Sequence, residues 1–343
     1  MSSRAVHFVG SFPADGTETA MRAMLDGSAG RLRTLPTGET RRYELYVVPI
    51  LDDLVTQGKL EVVRPGQWRS LIDRTVYRVP RGVEFRGDDI DLGYLREAEE
   101  AWPIFERLRA EYDRPDLALQ LGMPTALTLA AIALGPKGAI SRRQAFLEAT
   151  VRDVAAIREL AGDDVVIQLE ATAELVLTAR GGPLSRSVER ALRLGAGIAE
   201  LAAATPAGTR IGVHLCLGSL RNKAAAAAHA RPVVELANSL VRHWPENRTL
   251  EYVHAPFAAG DHAPPTGARF YRRLADLSLP VGTRFYPGLV HDAPTVAQQQ
   301  ATLADIEAAL GAPVDGVAAP CGLGRRSRPV AEDLIARAAR LAD

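Results

Sequence analysis

The amino-acid sequence predicts an α/β protein, a single (β/α)8 barrel, and three observations point there. Eight short apolar, β-rich runs recur along the chain, at 5–10, 31–35, 117–121, 165–170, 210–217, 249–254, 281–289 and 316–320. Most are followed by a stretch with apolar residues at helical spacing, which is the alternation of a parallel α/β fold. The residue types that do chemistry gather at the carboxyl ends of these runs: Ser11, Glu39, Glu170, His214, Cys216, His254, His291 and Cys321. Barrel enzymes build their sites at that end. The rival, an open doubly wound sheet, is disfavoured because no Gly-x-Gly-x-x-Gly follows the first run.

Taken in order, the first two runs are short and end in Gly10-Ser11 and Gly38-Glu39. A long gap then separates the second run from the third. Within it, about 60–94 carries Val62, Val63, Trp68, Val76, Tyr77, Val79, Val83 and Phe85, broken by Pro65-Gly66 and Pro80-Arg81-Gly82. Alternating apolar residues between turn formers predict a β-hairpin insertion, either a lid or interface, or an edge hairpin that only packs. Helices are expected at 141–160, with Ser141 as N-cap, and at 185–204 and 295–310. The alanine run 224–228 favours helix by propensity. With no linker, repeat or low-complexity tail, 1–343 is expected to form one domain.

Apolar residues make up 47% of the 343 and charged residues 24%, which are globular values. A formal net charge of zero argues against nucleic acid as a partner, since phosphate binding needs a basic surface. No apolar run reaches the roughly 18 residues of a membrane span, and the amino terminus lacks the apolar core of a signal peptide. Two cysteines make no disulfide framework, so a reducing cytoplasm is expected. Oligomeric state is left open.

The two cysteines carry the sharpest signal. His214 and Cys216 lie two apart, so a strand directs both to one face, and closure of the barrel could bring Cys321 to them. Imidazole and thiolate are ligands that zinc prefers. Each residue has a plainer alternative: cysteine is often a small buried apolar residue, and a lone core histidine is usually hydrogen-bonded. Together the three predict a zinc site, with His254 favoured as a fourth ligand and Glu251 kept open. Zinc deprotonates a bound thiol. Two thiolates and one imidazole leave the ion little net charge, which suits thiol alkylation better than hydrolysis.

Val9-Gly10-Ser11-Phe12-Pro13, Gly38-Glu39-Thr40-Arg41-Arg42, Gln168-Leu169-Glu170, His214-Leu215-Cys216 and Cys321-Gly322-Leu323, in this order, resemble the strand-end motifs of the cobalamin-independent methionine synthases, in the superfamily of uroporphyrinogen decarboxylase. The chain is most similar to short, single-barrel relatives. The resemblance implies that Ser11, Glu39, Arg42 and Glu170 bind the amino-acid end of a homocysteine-like thiol. It implies zinc on the His-x-Cys and final Cys, and a general acid at His291, in His291-Asp292-Ala293-Pro294. Two departures bear on the methyl donor. The family's Asp-Glu-Pro is Glu170-Ala171-Thr172 here, and no tryptophan follows the third run, where Gly122-Met123-Pro124 stands. A donor other than folate is therefore expected, a corrinoid or a methylated small molecule among the choices.

The resulting expectation is a zinc-dependent methyl (alkyl) transferase acting on a small thiol. Arg325 and Arg326, just past Cys321, are candidates for an anionic part of a substrate. The alternatives are a metal-free lyase or decarboxylase on the same barrel, and a barrel that has lost its chemistry and serves as a scaffold.

Overall fold

The computed structural model describes residues 4–45, 47–69, 73–218 and 229–343. Eight parallel strands form one sheet: β1 (Ala5–His7), β2 (Thr34–Pro36), β5 (Ala118–Pro124), β6 (Val165–Ala171), β7 (Arg210–Leu215), β8 (Leu250–Pro256), β9 (Arg284–Gly288) and β10 (Gly316–Ala318). Their spatial order is β1-β10-β9-β8-β7-β6-β5-β2, so the chain runs once round a barrel and returns to its first strand. Between β1 and β2 the ring is joined by a backbone hydrogen bond from Val6 N–H to the Arg31 carbonyl at 3.1 Å. This is the (β/α)8 barrel expected from the apolar runs, and all eight runs supply a barrel strand.

The strands read as continuous apolar runs because both faces are buried, one by helices and one by the barrel interior. All seven residues of β6 are buried. The interior holds a polar network as well as apolar layers. The Gln120 side-chain amide donates to the carbonyls of Phe8 and Val9, each at 2.8 Å, and that of Gln168 donates to Val9 at 2.7 Å. The amide oxygen of Gln120 accepts from Thr34 Oγ1 at 2.6 Å, and the Tyr252 hydroxyl donates to Gln168 at 3.1 Å. These bonds tie the short first strand to β5, β6 and β8 from within.

The outer layer departs from the sequence expectation at several points. Ser141 does not cap a helix: it ends α4 (Ala126–Ser141), and its hydroxyl donates back to the Lys137 carbonyl at 3.0 Å. The following helix, α5 (Arg143–Ala161), starts two residues later. The expected helix 185–204 is two, α7 (Ser185–Leu192) and α8 (Leu194–Ala204), hinged at Arg193 with φ +53°. The third expectation holds, since Thr295 caps α11 (Val296–Leu310) in a reciprocal capping box with Gln298. The alanine run 224–228 lies outside the described residues.

The insertion is a two-stranded antiparallel hairpin, β3 (Glu61–Arg64) with β4 (Val76–Arg78). Its anchorage follows from a break in α4. Pro136 has no N–H, and Gly135 has non-helical φ and ψ (68°, −168°), so the Ile132 carbonyl, four residues before the proline, has no helical donor. Arg74, in the hairpin loop, donates to it at 2.6 Å and to the neighbouring Ala131 carbonyl at 3.3 Å. One guanidinium thus caps a broken helix and fixes the hairpin over the barrel. Arg74→Met leaves both carbonyls without that donor. A destabilisation of about 1–3 kcal/mol in urea unfolding is expected, with faster hydrogen exchange at Gln67 and Trp68; unchanged exchange there would show that the hairpin is held by other contacts.

Candidate metal centre and its cavity

His214 lies near the end of β7, Cys216 just past it, and Cys321 just past β10. One ligand atom from each lies within 4.8 Å of the other two, and the sulfurs are 3.9 Å apart. Among the described residues this is the one group of three or more metal-ligating side chains that could hold an ion. Parallel pairing aligns Glu170 of β6 with His214 of β7 and His254 of β8, so three reactive side chains stand on adjacent strands at one level. The sulfurs share protons. Cys216 is pushed well above the ordinary thiol range by its hydrogen bond to Cys321 and by burial. Cys321 is drawn well below that range, first because Cys216 donates to it, then through His214 and Arg325.

Donor chemistry tests whether this group suits a metal. His214 Nδ1 meets His254 Nδ1 at 2.7 Å, while His214 Nε2 is buried and has no hydrogen-bond partner. A buried polar atom without a partner is costly, and a metal on Nε2 would remove the cost. Two sulfurs and an unengaged imidazole nitrogen fit a soft or borderline cation, and zinc is such an ion.

Neither residue expected as a fourth ligand joins the group. His254 stands behind His214, with Nδ1 on the His214 ring and Nε2 at 3.0 Å from the Ala319 carbonyl, so both nitrogens are engaged. Burial, then His214 and His7, hold it well below the usual histidine range. Glu251 is five residues below the end of β8 and is spent on Arg210 and Arg284, at 2.8 and 2.6 Å. Its carboxyl is lowered by those arginines against the opposing effect of burial, which is the largest single influence on it.

The sulfurs open into a cavity of about 550 Å3 at the carboxyl end of the barrel. Ser11, Glu39, Glu170 and Arg325 line it together with the sulfurs, as do Trp68 and Ile132. Loop geometry explains the motifs. The Ser11 carbonyl accepts from Leu323 N–H at 2.7 Å, its hydroxyl accepts from Gly324 N–H at 3.2 Å, and Phe12 N–H donates to the Gly38 carbonyl at 2.8 Å. The loops after β1, β2 and β10 are thereby sewn together. Residue 322 must be glycine, because a Cβ there would fall 2.2 Å from Ser11 Oγ. Glu39 follows Gly38 in left-handed backbone, φ +45° after φ +85°, a conformation uncommon outside glycine that turns its side chain into the mouth.

Glu39 and Glu170 face each other over Gly122, where a Cβ would meet Glu170 Oε1 at 2.7 Å and Glu39 Oε1 at 3.5 Å. Burial first, then Glu170, Glu97 and Cys321, raise the Glu39 carboxyl well above its usual range, with Arg325 opposing. An arriving cation favours the charged form of such a pair, so its protonated member then ionises more readily and releases its proton to solvent.

Two other expected site residues lie elsewhere. Arg42 pairs with Asp53 at 2.6 Å, and its guanidinium stands 5.4 Å from the centre of the Tyr43 ring. His291 is buried, its Nε2 lies 3.1 Å from the Ala259 carbonyl, and its Nδ1 accepts from Ala293 N–H at 3.1 Å. Arg326 Nη2 also lies 3.3 Å from Nε2 and Asp292 Oδ1 3.1 Å from Nδ1, so both ring nitrogens are engaged by protein groups. Burial lowers the His291 pKa.

Sequence reasoning missed His7. It is 3% exposed in β1, with ring centroids 5.6 Å from His254 and 4.8 Å from Tyr286, and burial holds its pKa down to about 3. Nothing in its spacing marks it. It also missed the position of Trp68. No tryptophan follows the third barrel strand, yet the hairpin carries one to the cavity, with φ +52°.

No family model matches the sequence, and no curated protein matches it. Solved structures do match over the full length. A B12-independent methionine synthase from Shewanella sp. W3-18-1, solved in complex with selenomethionine, superposes with a TM-score of 0.60 at 14% identity, covering 98% of this chain and 96% of that one. A methyltransferase from Methanosarcina mazei gives a TM-score of 0.58 at 15% identity, with 99% and 94% covered. At these identities the shared feature is the fold. The structures found are the kind that the strand-end motifs resemble.

Glu97 supplies a test of the acidic side of the site. Burial pushes its carboxyl up to about 7, against a hydrogen bond from Thr37 Oγ1 at 2.7 Å. A carboxyl whose folded pKa is raised contributes stability that is complete below its unfolded pKa and is lost as pH climbs through the folded value. The window therefore runs from about 4.5 to about 7. Glu97→Gln keeps an acceptor for Thr37 and removes the titration, so its midpoint of urea unfolding is expected to exceed that of the wild type more at pH 8 than at pH 5. Parallel pH profiles would refute a buried, titrating Glu97.

Proposed function

We propose that this protein is a zinc-dependent methyltransferase that methylates the sulfur of a small thiol such as homocysteine, from a donor other than folate. The observation that carries the reading is the buried, unpartnered His214 Nε2 beside two sulfurs 3.9 Å apart, at the base of a cavity wide enough for two small molecules. Structural neighbours titled methionine synthase and methyltransferase support the reaction class.

In this reading His214, Cys216 and Cys321 hold the ion. Zinc, when bound, supplies the charge that lets a thiol lose its proton at neutral pH. Glu39 and Glu170 bind the substrate ammonium, and the raised Glu39 releases its proton to solvent as that cation enters. Ser11 fixes the loop that carries Cys321. The overall change replaces S–H by S–CH3: the sulfur lone pair forms the new bond as the donor's bond to methyl breaks, and the thiol proton leaves with the released donor fragment.

His291 and Arg42 have no part in this reading, since neither lines the cavity: His291 lies against the Ala259 and Ala293 backbone and Arg42 pairs with Asp53. The part of the cavity lined by Trp68 and Ile132 takes the donor's apolar body. A free thiol pair fits a reducing compartment such as the cytoplasm.

Elemental analysis tests the metal, and about one zinc per chain is expected, falling severalfold in both Cys216→Ser and Cys321→Ser. Full retention in both variants would reject the site. Incubation with homocysteine and a panel of methylated donors, followed by mass detection, tests the reaction. Glu39→Gln is expected to raise the KM for the thiol about 10-fold, equivalent to about 1.4 kcal/mol. A zinc-loaded protein that methylates no thiol from any donor would refute the assignment.

A further inference from the structure

His254 holds the centre of a contact that joins the two halves of the metal group. Its ring reaches His214 on β7 through Nδ1, at 2.7 Å, and the Ala319 carbonyl, two residues before Cys321, through Nε2, at 3.0 Å. β8 and β10 are not neighbours in the sheet; β9 lies between them. The side chain therefore passes over β9, and it does so at Gly288. A Cβ on Gly288 would fall 2.8 Å from His254 Nε2, 2.8 Å from Pro320 Cα and 3.1 Å from the Ala319 oxygen. Any larger residue would occupy the hydrogen bond itself. His7 closes the remaining side, its ring 5.6 Å from that of His254.

The directions of these bonds follow from donor chemistry. The Ala319 carbonyl only accepts, so Nε2 of His254 carries the proton. Nδ1 of the neutral ring is then a lone pair and accepts from Nδ1–H of His214. With the Nδ1 proton directed at His254, Nε2 is the ring atom of His214 left to face the sulfurs, and it makes no hydrogen bond of ordinary geometry.

We infer that His254 is a positioning residue that sets the tautomer of His214 and clamps the β7 and β10 segments together, so that the imidazole nitrogen and the two sulfurs face one another before any ion arrives. The inference rests on His214, Cys216 and Cys321 being the metal ligands. It assigns His254 a place outside the coordination sphere. Groups that orient a ligating histidine through its second nitrogen typically change metal affinity by about 10–100-fold when removed.

Three measurements test it. In the metal-free protein, nitrogen-15 spectra of labelled histidine should show His214 protonated at Nδ1 and His254 at Nε2; a His214 ring protonated at Nε2 overturns the proposal. In competition with a chromophoric zinc chelator, His254→Ala and Gly288→Ala should each weaken zinc binding about 10–100-fold. The double variant should be no weaker than the worse single one, because both changes break one contact. Unchanged affinity in both variants, with urea midpoints showing them folded, overturns it. X-ray absorption at the zinc edge should count one imidazole and two protein sulfurs in wild type and His254→Ala alike, and loss of an imidazole from the variant would make His254 a ligand. If the wild type takes up no zinc, the proposed function fails, while the tautomers of the metal-free protein still decide the role of His254.

Discussion

The site depends on how the first strand is held. β1 has three residues and one neighbour in the ladder, β10. Past its end, the carbonyls of Phe8 and Val9 turn toward the interior, where a bare carbonyl would be costly. Gln120 and Gln168 meet them from β5 and β6. The same Gln168 amide reaches Glu170 Oε1 at 3.2 Å, so one side chain fixes both the end of β1 and a carboxylate of the cavity. Ser11 follows directly and is stitched to the loop bearing Cys321. Positions of the acid and the sulfur thus trace back to two buried amides with all their donors directed.

Electrostatics divides the mouth of the barrel into unlike neighbours. On one side, two carboxyls and two thiols stand close together, where Glu170 and Cys321 discourage the ionisation of Glu39, and Cys321 and Glu170 that of Cys216. On the other, three histidine rings run from His7 through His254 to His214, with centroid spacings of 5.6 and 4.7 Å. Burial keeps His7 and His254 from charging. An unliganded mouth is therefore a poor host for its own charges. The strand register sets the acidic and imidazole groups side by side, Glu170 opposite His214.

Much of this was legible in the chain. The barrel could be read because a strand buried on both faces writes itself as an apolar run, and the three ligand candidates because sulfur and imidazole are scarce and sit at strand ends. Local breaks were less visible. Gly135-Pro136 divides α4, so the next helix begins past Ser141, while an N-cap reading weighs only the hydroxyl. Arg193 divides what looked like a single helix. Tertiary partners were invisible. His254 looked like a ligand because it ends a strand, but its carbonyl partner is 65 residues away. His291 looked like an acid until Ala259 and Ala293 were seen on its two nitrogens. Trp68 was noticed as part of a hairpin, with nothing to say that the hairpin hangs over the mouth.

The sulfurs at the base of the cavity are 105 positions apart along the chain. An ion held by both closes a ring through β8, β9 and their helices, and so withdraws from the unfolded chain the freedom of that long loop. The entropy of such closure grows with the logarithm of ring size, and bound ligand adds to stability in proportion to the logarithm of its concentration over its dissociation constant. In the proposed function, the protein without its ion keeps the preformed site but is less resistant to unfolding.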